Sequence, residues 1–223
     1  MTFSRRLYQK AEGIWLKTHQ HPFVTGIGKG DLPKESFIRY MKQDYVFLID
    51  YAKMFALGAA KAKDIETMAA FAKILNDTLH EEMDLHRQYA EQFGITKEQL
   101  EAVKPAPLNL AYTRYMLSAA QSGSLEELIS ALLPCMWSYW EIGKMLKAEY
   151  PGSSEHPFYG KWVTMYASEE FGSLAVWLID LLDKLTERKS EKDLAILEEQ
   201  FLTSSKLEFL FWDMVYKGEE WPV

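Results

Sequence analysis

Apolar residues recur along this chain at steps of three and four, and no stretch alternates as a strand would. Three- and four-residue steps put successive side chains on one face of an α-helix. Phe3, Leu7, Ala11, Ile14 and Trp15 predict a helix from Phe3 to about His19. A second runs from about Lys34 to Ala62, just past Pro33, on the stripe Phe37, Met41, Asp44, Phe47, Leu48, Tyr51 and Phe55. A third spans about Asp64 to Phe93, carries Leu75, Leu79, Met83, Leu85, His86 and Tyr89, and ends at Gly94, a residue suited to a C-terminal cap. Thr96 to Gln99 has the spacing of a capping box and predicts a short helix. Further helices are expected at about Asn109–Gln121, where Tyr112, Tyr115 and Met116 share a face, and at Ser124–Tyr150, Phe158–Ser168, Glu170–Arg188 and Glu191–Tyr216. His21–Pro33, with three glycines, and Tyr150–Pro157 read as loops. No internal repeat and no linker interrupts this pattern, so residues 1–223 are expected to form one all-α bundle of seven or more helices.

Three residues break the stripes they occupy. Asp44 lies among apolar and aromatic positions, and so does Glu208, whose neighbours on the last stripe are Ser204, Phe211 and Trp212. A carboxylate in such a place must find a partner or give up its charge, because an isolated buried charge is too costly. The third is Cys135, the chain's only cysteine, in Ala131-Leu132-Leu133-Pro134-Cys135-Met136-Trp137. Pro134 removes a backbone donor and crowds the carbonyl four residues back, so a kink is expected at Ser130. Tyr139 follows Cys135 by one turn on the same face. Bundles build sites from residues on facing helices, which makes a meeting of Asp44, Cys135 and Glu208 the natural expectation. A thiol attacks only as its thiolate, so a neighbouring carboxylate would take its proton and later return one to a leaving group.

Charge and composition narrow the chemistry further. A net charge of −7 argues against nucleic acid as the main partner. No apolar run reaches the roughly 18 residues of a membrane span, and the first ten residues lack the apolar core of a secretory signal, so a cytoplasmic protein is expected. One cysteine cannot form an internal disulfide, which agrees with a reducing compartment. The glycines between His21 and Pro33 follow no strand and lack the spacing of a phosphate cradle. Glu82 and His86 stand one turn apart, as metal ligands in a bundle do, but the second half of the chain offers only His156 in a loop. They are read as a surface pair, with no metal and no cofactor expected.

Five ordered motifs carry a resemblance: His21-Pro22-Phe23-Val24 with Gly26-Ile27-Gly28, Gln43-Asp44-Tyr45, Glu82-Met83 with Leu85-His86-Arg87, the Pro134-Cys135 segment, and Ser204-Ser205 with Glu208, Phe211 and Trp212. Together they resemble the TenA, or thiaminase II, family over nearly the whole chain. That resemblance implies a haem-oxygenase-like helical fold without haem, a homotetramer, and an aminopyrimidine aminohydrolase of thiamin salvage that can also cleave thiamin. It implies that Cys135 is the nucleophile, Glu208 the proton carrier, and Asp44 the holder of the 4-amino edge. Tyr112, Tyr139 and Tyr166 align with pocket phenols and Phe211 with a ring-packing aromatic. Phe47 departs from the pattern, where relatives carry tyrosine; the stacking surface stays and a hydroxyl is lost, nominally about 0.5–1.5 kcal/mol. Two other classes compete with this one: a non-catalytic helical regulatory or interaction protein, and a metal-dependent oxidase on the same scaffold.

Overall fold

The computed structural model describes residues 1–223 and contains helices and turns only. In chain order the helices are α1 (Phe3–His19), α2 (Pro22–Lys29), α3 (Lys34–Lys61), α4 (Ile65–Asp77), α5 (Met83–Gln92), α6 (Lys97–Glu101), α7 (Pro107–Ser122), α8 (Leu125–Glu149), α9 (Gly160–Tyr166), α10 (Glu169–Thr186) and α11 (Glu191–Lys217). A π turn, Thr78–Glu82, joins α4 to α5, and a 3-10 turn, Ser153–Glu155, sits in the segment read as a loop between α8 and α9. No helix is long and apolar enough to cross a membrane. The chain divides into two compact units.

The first unit comprises Met1–Pro33 and Ile129–Asp213. Here α1 is capped by Thr2, whose side chain accepts from the Arg5 amide, and is tied to α10 where the Ser4 amide and hydroxyl donate to Asp183 at 2.7 and 2.6 Å. Trp15 Nε1 donates to Ser205 Oγ of α11 at 3.3 Å. The segment from His21 is a helix rather than the expected loop. His21 Nδ1 accepts from the Phe23 amide as N-cap, Pro22 occupies the first turn where its missing N–H costs nothing, and Gly30 ends the helix at φ 74°. Glycine inside α2 serves close approach, since a Cβ on Gly28 would lie 2.5 Å from the Tyr150 ring. The helix expected at about Ser124–Tyr150 forms as α8 with Pro134 inside it, and every residue from Ala131 to Tyr139 is buried. Packing on all sides there outweighs one lost backbone donor.

The second unit comprises Lys34–Leu128 and Met214–Val223. All seven residues of the predicted α3 stripe are buried, Asp44 among them. Asn109 Nδ2 of α7 donates to the backbone carbonyl and side-chain oxygen of Gln43 at 2.8 and 2.9 Å, and the Ala106 amide donates to the same side-chain oxygen. That bracket fixes α7 against α3. The capping box at α6 forms as expected from Thr96 and Gln99.

The predicted third helix is divided by the π turn, and this changes which residues face inward. The buried positions run Phe71, Ile74, Thr78, then Met83, His86 and Tyr89, so one step is five residues long. Leu79, expected in the inner stripe, is 37% exposed, while His86, read as half of a surface pair with Glu82, is fully buried. A π turn inserts one residue into the helical ladder and rotates every later position about the axis, which a constant 3.6-residue period cannot register.

Candidate active site

In the second unit Asp44 carries a buried polar network. Tyr40 donates its hydroxyl to Asp44 Oδ2 at 2.9 Å, and His86 Nε2 lies 2.7 Å from the same oxygen. His86 Nδ1 is 2.8 Å from the Glu82 carbonyl oxygen. A carbonyl only accepts, so Nδ1 bears a hydrogen and the imidazole is fixed at both nitrogens. Burial pushes the His86 pKa down, but the hydrogen bonds and charges of Asp44 and Glu82 together more than offset this, so the net direction is upward. Asp44 is thus a desolvated carboxylate with two donors, the condition under which burial of a charge is tolerable.

Beside it, Phe47 stacks on Tyr51 at 5.4 Å between centroids and meets Tyr112 of α7 at 5.2 Å. Gln43 and Phe47 are one turn apart on α3, and Asn109 and Tyr112 one turn apart on α7, so the Gln43–Asn109 bracket sets this aromatic pair. Asp44, Phe47 and Tyr112, three of the predicted site residues, therefore share one corner of this unit.

The other five lie in the first unit, all buried: Cys135 and Tyr139 on α8, Tyr166 at the end of α9, Glu208 and Phe211 on α11. The Tyr139 ring meets Tyr166 at 4.7 Å and Trp212 at 5.1 Å. Cys135 and Tyr139 are one turn apart on one helix face, as are Glu208 and Trp212 on another. The Tyr139–Trp212 contact consequently turns the cysteine face of α8 toward the carboxylate face of α11. Phe211 packs edge-on to Trp212 at 6.4 Å. Tyr166 is placed by a close helix approach, because a Cβ on Gly143 of α8 would meet the Tyr166 carbonyl carbon at 2.5 Å.

Sequence reasoning misses Tyr40 and His86. The signal is present, since His86 shares a stripe with Met83 and Tyr89, but the π turn hides its alignment with α4. No three His, Cys, Asp or Glu side chains form a metal-ligand cluster, and His86 has both ring nitrogens engaged. The arrangement offers a thiol and a carboxylate on facing helices of one unit, and a donor-loaded carboxylate beside stacked rings in the other. Those groups suit nucleophilic and acid–base work on a flat, nitrogen-bearing ring.

The sequence profile described as the TENA/THI-4/PQQC family matches residues 8–218. An aminopyrimidine aminohydrolase of Halalkalibacterium halodurans is 55% identical over 221 residues, covering 99% of this chain and 98% of that protein. A solved structure from Silicibacter sp. TM1040, described as a TenA family transcription regulator, superposes with a TM-score of 0.88 at 36% identity and covers 95% of each chain. A domain of unknown function with a heme oxygenase-like fold from Shewanella denitrificans shares the fold at a TM-score of 0.76 and 16% identity, over 96% of this chain and 92% of that one.

Proposed function

This chain belongs to the TENA/THI-4/PQQC family, and from that premise we propose that it is an aminopyrimidine aminohydrolase of thiamin salvage. The observation that carries the reading is the 55% identity, end to end, with a protein of that description. The substrate class is a 4-amino-2-methylpyrimidine bearing an aminomethyl group at position 5, and the product is the hydroxymethyl pyrimidine with release of ammonia. Thiamin itself, split between pyrimidine and thiazole, is a second substrate of the same chemistry.

In this reading Cys135 is the nucleophile. Glu208 takes the thiol proton, the thiolate adds to an electron-poor ring carbon, and the displaced electrons expel the amine from the exocyclic methylene as Glu208 returns the proton. Water then adds to the methylene carbon, losing a proton, and the thiolate leaves as the ring regains aromaticity. Asp44 accepts from the 4-amino group, Phe47 and Phe211 pack the ring, and Tyr112, Tyr139 and Tyr166 are further substrate-binding residues. Asp44, Glu208 and Cys135 are each buried, as groups that react away from bulk water must be. In this reading the chain acts as one folding domain, in keeping with a profile match over residues 8–218, and works in the cytoplasm as a homotetramer.

Activity with the aminomethyl pyrimidine and with thiamin, wild type against Cys135→Ala, tests the reading. The variant should keep the wild-type circular dichroism and lose turnover by about three orders of magnitude or more. A folded, fully active variant would remove Cys135 from the chemistry. A regulatory reading draws on the description of the Silicibacter relative, but a net charge of −7 disfavours direct contact with DNA. Tight, salt-sensitive binding to a specific duplex would favour it.

A further inference from the structure

We propose that His86 is the positioning residue for Asp44, holding one carboxylate oxygen so that the other is presented to the aminopyrimidine edge. The inference rests on the aminohydrolase reading and goes beyond it, because it assigns a role to a residue 42 positions away on a different helix. Both hydrogen bonds to Asp44, from Tyr40 and from His86, end on Oδ2, leaving Oδ1 as the oxygen available to an amino group. His86 is itself anchored. Its Nδ1 donates to the carbonyl of Glu82, the last residue of the π turn, and that turn brings His86 into line with Phe71, Ile74 and Thr78. Without the extra residue His86 would point about 100° elsewhere on the helix. A π turn at a functional position is a recurrent use of this otherwise rare element.

Fixing Nδ1–H also constrains the proton between the partners. With Nδ1 always a donor, the pair holds either a proton on Nε2 and a carboxylate, or a neutral ring and a carboxylic acid. The titratable groups facing His86 are Asp44 and Tyr40 from α3 and Glu82 from its own chain segment. Their combined effect makes the folded protein hold the His86 proton more tightly than an ordinary histidine does, which keeps the ring hydrogen-bonded to Asp44. Removing the imidazole leaves Oδ2 with the Tyr40 hydroxyl alone, so the carboxylate is no longer held from α5 and Oδ1 loses its fixed direction.

The test measures binding of the aminomethyl pyrimidine on a Cys135→Ser background, which separates affinity from turnover, together with pH profiles of kcat/KM in otherwise wild-type protein. His86→Leu should raise Kd about ten- to a hundredfold, the loss of one charge-assisted hydrogen bond. His86→Gln keeps a donor toward Oδ2 but holds no mobile proton. It should recover part of the affinity, and the alkaline limb that follows loss of the His86 proton should disappear from its kcat/KM profile. Packing alone would leave that limb in place. A folded His86→Leu protein with unchanged Kd overturns the inference, as does a His86→Gln profile that keeps the wild-type alkaline limb; the second decides if His86→Leu does not fold. Wild-type protein that neither binds nor hydrolyses the pyrimidine overturns the aminohydrolase reading and this inference with it. Wild-type turnover with silent His86 variants overturns the inference alone.

Discussion

Asp44 and His86 make stability, as well as binding, depend on pH. The folded-state pKa of His86 lies above its ordinary value of 6.5, so the folded protein binds that proton more tightly than the unfolded chain. The stabilisation is fully present below 6.5 and is lost as pH rises through the folded value. Asp44→Asn removes the counter-charge and leaves burial, which pushes His86 downward, opposed by Glu82 alone. The difference in unfolding free energy between wild type and Asp44→Asn should therefore be largest just below the ordinary histidine value, about 3–5 kcal/mol for one broken buried pair. It should shrink in alkaline buffer. Urea unfolding across that range measures it, and a difference that stays constant with pH would show that His86 carries no linked proton.

Among the elements, the π turn has the clearest consequence. Met83 and His86 come into line with Phe71, Ile74 and Thr78 because Thr78–Glu82 advances the helix by one residue. Inserting one alanine after His80, an exposed position, would rotate α5 by about a further 100°. Met83 and Tyr89 would turn toward water and His86 away from Asp44, at a cost of at least about 3 kcal/mol. Thermal unfolding should show a large loss of stability, whereas a single substitution at His80 should be nearly silent. The same extra residue explains why the third helix is only half legible in the sequence. Its limits, near Asp64 and Phe93, follow from composition and the Gly94 cap, but its inner face does not follow from a fixed period. Segment 21–33 departs from expectation for another reason. Local propensity reads its glycines as turn residues, whereas Gly28 permits the approach of Tyr150 from over a hundred residues away, which propensity does not encode.

For the whole molecule, the proposed homotetramer predicts that light scattering will give a mass about four times the 25.9-kDa chain, independent of moderate salt if the interfaces are mainly apolar. A monomer mass would remove the oligomer from the proposal without touching the fold.

The sequence by itself determined the class and limits of most helices, because each must bury one stripe and apolar spacing reports that stripe directly. It also marked Asp44, Cys135 and Glu208 as misfits, since a polar group in an apolar stripe is visible without coordinates. Only the tertiary structure decided what satisfies Asp44. Its partner, His86, is 42 residues on, its orientation depends on a π turn with no clear signature in composition, and Tyr40 joins from the turn before. The Tyr139–Trp212 contact that faces α8 toward α11 was likewise decided in three dimensions. Periodicity tells which side of a helix is buried, but the neighbour it is buried against depends on packing between segments far apart in the chain.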